Sequence, residues 1–161
     1  MKNTEIDVRE IVMSYGKDIL DSDNMKLEKV IPHHGVISCF DHSLFVTYLS
    51  VWIAKRFNMK VDMSSLVRGA LLHDYYLYDW HIPDPSHRLH GFIHAKKALE
   101  NARKEYSLTP IEEDIIYKHM FPMNLRLPLY KETLIVCIAD KFCASCELCS
   151  LNAYVGRHIM A

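Results

Sequence analysis

Glycine and proline are scarce in this chain, and their scarcity limits the folds that the chain can adopt. The sequence has 5 glycines and 6 prolines in 161 residues, about 7% against a usual combined share of about 12%. Folds rich in hairpins need many tight turns, and tight turns depend on these two residues. The composition therefore favours long helices. No segment shows the sustained alternation of apolar and polar residues that is typical of strands.

Helical spacing of apolar residues and helix-capping patterns predict about six helices. The predicted helices cover residues 5–20, 38–58, 62–78, 91–106, 109–121 and 132–150. The polar stretch 21–26 is predicted to end the first helix. Ser38 with Asp41, and Thr109 with Glu112, are predicted to form capping boxes at the starts of two others. We expect an all-α fold, a compact helical bundle in which residues 1–161 form one domain.

Charge and hydropathy exclude several classes of protein. The 19 basic and 20 acidic side chains leave a net charge of -1, which provides no basic surface for nucleic acid. No stretch approaches the roughly 18 apolar residues of a transmembrane helix, and residues 1–10 lack the apolar core of a secretory signal. Five cysteines without an export signal are expected to be reduced thiols. We expect a cytoplasmic protein that binds neither nucleic acid nor membrane.

The ten histidines of the chain point to its chemistry. Six histidines and aspartates are predicted to face the core from the helices: His42, His73, Asp74, His94, His119 and Asp140. Burying a carboxylate without a partner costs several kcal/mol, so buried charges are paired or bind metals. Imidazoles and carboxylates that converge between helices can hold a divalent cation. The alternatives are hydrogen-bonded core histidines and a buried ion pair.

Three sequence motifs contain four of these residues: Phe40-Asp41-His42-Ser43-Leu44-Phe45-Val46, Gly69-Ala70-Leu71-Leu72-His73-Asp74 and Ile138-Ala139-Asp140-Lys141. These motifs resemble those of the HD-domain superfamily of metal-dependent phosphohydrolases. That family is all-α and is defined by a His on one helix, a His-Asp pair on the next and a distal Asp. The 31 residues that separate His42 from His73 are typical of it, whereas His33 and His34 match less well. The resemblance covers residues 35–150.

The resemblance implies a centre of two metals. The implied ligands are His42, His73, Asp74, His94, His119 and Asp140. His94 and His119 match the extra ligands of the HD subset that holds two ions, and Asp74 would bridge the ions through its two oxygens. Iron or manganese suits imidazole and carboxylate ligands. Such a centre implies hydrolysis, since paired cations lower the pKa of a shared water and neutralise phosphoryl oxygens.

The implied substrate is a phosphoester or phosphoanhydride, with nucleotides and small phosphorylated metabolites as candidates. The candidate substrate contacts are His81, His87, His90, Arg126 and Lys141. The histidines belong to a loop that follows the His-Asp pair and is expected to overhang the site. Lys141 is predicted to contact phosphate or to pair with a ligand carboxylate. Small HD hydrolases that split diadenosine tetraphosphate have the same ligand set, whereas the Gly-Tyr-Pro signature of cyclic dinucleotide phosphodiesterases is missing.

A second enzyme class has the same ligand order. HD-type di-iron oxygenases, myo-inositol oxygenase among them, use these residue types in this sequence, so oxygen activation on a small polar metabolite is the alternative function. A scaffold without activity is less consistent with six retained ligands. Cys143, Cys146 and Cys149 have the spacing of cluster and zinc sites. Because no fourth cysteine lies at a suitable distance, we interpret them as small buried thiols.

Overall fold

The computed structural model describes residues 8–34, 37–85 and 90–148, and most of these residues are helical. The helices in this part of the chain are α1 (Val8–Leu20), α2 (Asp23–Leu27), α3 (Cys39–Arg56), α4 (Met63–Leu72), α5 (His90–Glu105), α6 (Pro110–Lys118) and α7 (Lys131–Leu148). The described residues form no strand, only an isolated bridge between Pro32 and Ser38. The all-α prediction is confirmed. None of the described helices combines the length and the hydropathy needed to cross a bilayer.

The helix ends show how well capping patterns predict structure. Thr109 and Glu112 form the predicted capping box at the start of α6. Ser38 begins α3 as predicted, and its Oγ accepts the Asp41 N–H at 3.1 Å. The Asp41 carboxylate accepts the Ser38 hydroxyl at 2.7 Å instead of a backbone N–H. Helix α1 ends at Leu20, directly before the polar stretch 21–26 that was predicted to end it. The short helix α2, which Ser22 caps within that stretch, was not predicted.

The predicted helix over 62–78 is too long, since α4 ends at Leu72. The side-chain amide of Asn101, on α5, donates to the carbonyls of Tyr75 and Tyr76 at 3.2 and 3.1 Å. These bonds satisfy buried carbonyls that a longer helix would have satisfied internally. Leu77 has a φ of +61°, which a helix does not permit. The His-Asp pair therefore lies at the end of a helix and leads directly into a loop.

Helix α4 is the centre of the bundle. It packs against α1, α3, α5, α6 and α7. Val67 and Leu71 belong to an apolar cluster that includes residues of α1 and α5, whereas Leu66 and Ala70 belong to a second cluster shared with α3 and α7. The end of α4 is therefore fixed from several sides, and so is the His-Asp pair that follows it.

A glycine permits the close contact between α4 and α6. A Cβ atom on Gly69 would lie 2.6 Å from Cδ1 and 3.0 Å from Cβ of Ile115, on α6. Atoms of real side chains do not approach so closely, so the absence of a side chain lets α4 and α6 come together. This approach places His73, at the end of α4, beside His119, at the end of α6, with ring centroids 4.9 Å apart.

A buried carboxylate joins α6 to the start of α7. Asp114 Oδ2 accepts the Leu129 N–H at 2.9 Å and the Thr133 hydroxyl at 2.7 Å, and Lys118 pairs with Oδ1. Burial raises the pKa of Asp114, but the hydrogen bonds from Lys118 and Thr133 outweigh it and hold the pKa below its usual value. The ionised carboxylate therefore stabilises the native state.

We expect Asp114→Ala to lower the free energy of unfolding by about 1–3 kcal/mol, because it leaves the buried Thr133 hydroxyl and the part-buried Leu129 N–H without their acceptor. Urea unfolding at neutral pH measures the loss. The difference from wild type should be full above about pH 4 and shrink as the pH falls through the lowered pKa. The control Glu113→Ala removes an exposed pair with Arg103, which is worth about 0–1 kcal/mol. Equal losses in both variants would contradict the assignment.

Candidate metal centre

All six predicted ligands come together in the structure, and all are buried. They are His42 on α3, His73 and Asp74 directly after α4, His94 on α5, His119 directly after α6, and Asp140 on α7. His73 and His119 are the C-cap residues of their helices and keep helical backbone angles. Their side chains therefore continue the inward face of each helix. The site is formed where five helices of the bundle meet.

The first set of donor atoms surrounds Oδ2 of Asp74 and Oδ1 of Asp140. His42 Nε2 lies 3.8 Å from the Asp74 oxygen and 3.1 Å from the Asp140 oxygen. His73 Nε2 lies 3.6 Å and 3.7 Å from the same two atoms. At metal–ligand bond lengths of about 2.1 Å, two ligands of one ion lie about 3–4 Å apart. Each imidazole is therefore spaced from these carboxylates as two ligands of one cation would be, and His42, His73 and Asp140 are close enough to share an ion.

The second set faces the other oxygen of Asp74. His94 Nε2 and His119 Nε2 each lie 3.4 Å from Asp74 Oδ1. The two nitrogens are 3.0 Å from each other. The two oxygens of one carboxylate are thus divided between two groups of imidazoles, which is the arrangement of a carboxylate that bridges two ions.

Backbone carbonyls fix the orientation of three imidazoles. The contacts are His73 Nδ1 to Ala70 O at 2.7 Å, His94 Nδ1 to His90 O at 2.9 Å, and His119 Nδ1 to Ile116 O at 2.9 Å. A carbonyl can only accept, so each Nδ1 carries the proton. In a neutral ring this leaves the lone pair on Nε2, which points to the centre. Histidines that bind metals are commonly oriented in this way.

Buried atoms without partners test whether a cation fits here. His73 Nε2 and Asp74 Oδ1 are buried and have no hydrogen-bond partner among the described residues. Such a buried polar atom costs about 1–3 kcal/mol. Burial raises the pKa of Asp74 and of Asp140, but the neighbouring imidazoles outweigh it and hold both pKa values well below their usual range. Ionised carboxylates that face the Nε2 atoms of several imidazoles form a donor set that fits a divalent cation.

Comparison with known proteins assigns the family. The family model described as HD domain matches residues 39–145, about two thirds of the chain and all six of these residues. The chain belongs to the HD-domain family. HD domains bind divalent metals and form a superfamily of metal-dependent hydrolases. Comparisons with curated proteins and with solved structures found no match.

Two residues that sequence reasoning missed lie beside the six candidate ligands. Among the described residues, three groups of donor atoms are close enough to share an ion: His42, His73 and Asp140; His73, Asp74 and His119; and His33, His42 and Glu147. His33 matched the family pattern less well than His42, and Glu147 was not a candidate. The position of Glu147, seven residues after Asp140 on α7, is the signal that could have identified this residue, because residues two helical turns apart share a face.

A cavity of about 1070 Å³ opens beside the centre. Predicted contacts His81, His90 and Lys141 line it, as do Asp74 and Asp140. Trp80 stacks on the rings of His81 and His90, with centroids 3.8 and 5.1 Å away. Ile82, Phe92, Met120 and Met123 add apolar surface. The cavity of the HD domain therefore combines an aromatic wall with the candidate ligands.

Among the predicted substrate contacts, Arg126 does not line the cavity, whereas Lys141 lines it and contacts a candidate ligand. The Arg126 guanidinium lies 4.1 Å over the ring of Tyr117, and Arg126 is not among the residues that line the cavity. His87 lies outside the described residues. Lys141 Nζ lies 3.2 Å from Asp140 Oδ2 and donates to His119 O at 2.7 Å. Two roles were predicted for Lys141, a phosphate contact and an ion pair with a ligand carboxylate. The structure shows the ion pair, with Asp140.

The cysteines of α7 do not contribute to the candidate metal groups in the described part of the chain. Cys143 is buried in the apolar cluster shared by α3, α4 and α7, as the interpretation of a buried thiol requires. Cys146 is half-buried, and Cys149 lies outside the described residues.

Proposed function

We propose that this HD-domain protein is a metal-dependent phosphohydrolase with an active site of two divalent metals, iron or manganese. The single observation that supports this proposal most is the division of the Asp74 oxygens. Oδ2 faces His42 and His73, whereas Oδ1 faces His94 and His119 at 3.4 Å each. A carboxylate placed in this way can bridge two ions, and paired ions are common in enzymes that cleave phosphate esters.

The side chains of the centre have distinct roles in this proposal. When bound, two divalent cations lower the pKa of water and neutralise the charge that develops on the phosphoryl group. His42, His73, Asp74 and Asp140 would hold one cation, and Asp74 with His94 and His119 would hold the other. The Lys141 ammonium, at the cavity edge, can donate a hydrogen bond to a substrate phosphate. It also offsets the negative charge of Asp140.

The cavity supports a substrate with a planar or apolar part as well as a phosphate. Its volume of about 1070 Å³ is at the upper end of the roughly 300–1,000 Å³ of small-molecule sites. Trp80, His90 and Phe92 present ring surfaces to it, and Lys141 is its one Lys or Arg among the described residues. Nucleotides and small phosphorylated metabolites meet this description, and one cationic side chain leaves charge neutralisation largely to the metals.

An anaerobic assay tests the proposed function. Purified protein reconstituted with Fe²⁺ or Mn²⁺ is incubated without oxygen with phosphomonoesters, phosphodiesters and phosphoanhydrides, nucleotides included. We expect phosphate or nucleotide release that a chelator abolishes and that added metal restores. The control is the Arg126→Ala variant, whose changed residue lies outside the cavity and should not affect the rate. Turnover that requires oxygen would contradict hydrolysis and support the di-iron oxygenase alternative.

A further inference from the structure

Two buried residues outside the segment matched by the HD family model contact the candidate metal ligands. His33 precedes the matched residues 39–145 and Glu147 follows them, yet only 7% and 5% of their surfaces are exposed. The ring of His33 stacks on that of His42, with centroids 3.8 Å apart and planes inclined by 21°. His33 Nε2 lies 3.2 Å from Asp74 Oδ2, nearer to that oxygen than His42 Nε2 at 3.8 Å.

Glu147 accepts a hydrogen bond from the Nδ1–H of both stacked imidazoles. Its Oε2 accepts the Nδ1–H of His33 at 3.0 Å, and its Oε1 accepts the Nδ1–H of His42 at 2.7 Å. Both carboxylate oxygens are therefore engaged by N–H donors. This makes Glu147 an orienting carboxylate of the kind that supports metal-bound histidines, and not itself a ligand.

The hydrogen bonds to Glu147 determine which nitrogen of each ring faces the centre. A neutral imidazole has one N–H and one lone pair, so a proton on Nδ1 leaves the lone pair on Nε2. His33 Nε2 then faces an ionised oxygen of Asp74 at 3.2 Å. When it carries a proton, Nε2 donates a hydrogen bond to that oxygen. Without the proton, its lone pair and the Asp74 oxygen can bind one cation together, since a separation of about 3 Å is that of adjacent ligands of one ion.

The backbone fixes the position of His33 independently of its ring. The His33 N–H donates to Ile37 O at 2.8 Å, and the neighbouring Pro32 forms a β-bridge with Ser38. The loop before α3 is therefore held by main-chain bonds.

We infer that His33 is a further ligand of the cation held by His42, His73, Asp74 and Asp140, and that Glu147 is the positioning residue for His33 and His42. The inference rests on the proposed metal centre but not on the reaction that the centre performs. It predicts that the first metal position has one more imidazole than the six-residue pattern contains.

Cobalt binding to the metal-free protein tests the inference without an activity assay. Co²⁺ is titrated while its visible absorption and binding heat are followed. We expect His33→Ala to weaken Co²⁺ binding at the first position by about 10–100-fold and to change the absorption band. Added imidazole should restore both in part, because His33 borders the cavity. Glu147→Gln should weaken binding similarly, since its amide places N–H donors opposite an Nδ1–H.

The control is His34→Ala, which removes the histidine next to His33 in sequence. The His34 ring stands edge-on to that of His33, with centroids 4.3 Å apart. The Co²⁺ affinity and absorption of this variant should match wild type. Circular dichroism of each variant confirms folding, and His33→Gln replaces His33→Ala if the alanine variant does not fold. Unchanged affinity and absorption in the folded His33 variant would overturn the inference, as would a loss that imidazole does not reverse. If the His33 variant shows the expected loss of Co²⁺ binding but the wild-type protein releases no phosphate, only the proposed hydrolysis would be overturned.

Discussion

Asp74→Ala is expected to remove the bound metals and all measurable phosphohydrolase activity while most of the helical fold is retained. Asp74 supplies an oxygen to each of the two sets of imidazoles, at 3.4 Å from His94 and His119 and 3.6 Å from His73. One substitution therefore takes a ligand from both ions. The loss of folding should be modest, because the buried imidazoles keep their Nδ1–H bonds to backbone carbonyls.

Elemental analysis of the purified variant measures this result, with circular dichroism as the check on folding. Wild type should contain about two metals per chain, as the bridging arrangement implies. Asp23→Ala is a matched control, since it removes an aspartate whose side chain is fully exposed on α2. It should keep wild-type metal content. Metal content that survives in Asp74→Ala would exclude Asp74 as the bridge.

The fold was predictable where the sequence contains local signals with a direct physical cause. The capping box of Thr109 and Glu112 satisfies N–H groups that any helix start exposes, so it correctly marked the start of α6. The end of α4 has no such signal. It depends on Asn101, which lies on another helix and binds the carbonyls of Tyr75 and Tyr76. Apolar residues continue through this segment, so their spacing alone extended the predicted helix too far.

The sequence placed the six candidate ligands together even though it misplaced the end of α4. His73 is the C-cap of that helix, with φ -61° and ψ -34°, and these are helical angles. The direction of its side chain is therefore what a longer helix would have produced. His119 is similar, with φ -56° and ψ -25° after α6. Both side chains therefore point into the core as predicted, because His73 and His119 keep the backbone geometry of the last turn of α4 and α6.

His33 and Glu147 show the limit of reasoning from helix faces. His33 lies in a loop whose position is set by pairing between Pro32 and Ser38, and periodicity contains no information on such a loop. Glu147 is in the last turn of α7, where a glutamate is ordinarily a solvated surface charge. The contact between them spans 114 residues of sequence. It becomes visible only when α3 and α7 are packed together.

The two sides of Asp74 should also be separable by mutation. His94 and His119 contact Oδ1, at 3.4 Å each, and neither belongs to the group His42, His73 and Asp140 that is close enough to share an ion. Removing both rings would leave the second ion with one carboxylate oxygen. The first ion would keep its ligands, including Asp74 Oδ2 and Asp140 Oδ1.

We therefore expect the double variant His94→Ala/His119→Ala to bind about one metal per chain, half the wild-type content, and to lose hydrolysis to background. Catalysis is lost because activating water and neutralising phosphoryl oxygens are shared between paired cations. Elemental analysis and Co²⁺ titration measure the stoichiometry. His81→Ala/His90→Ala is the matched control, since it removes two cavity histidines that were predicted as substrate contacts and not as metal ligands, and it should keep about two metals. A double variant that still binds two metals would exclude His94 and His119 as ligands.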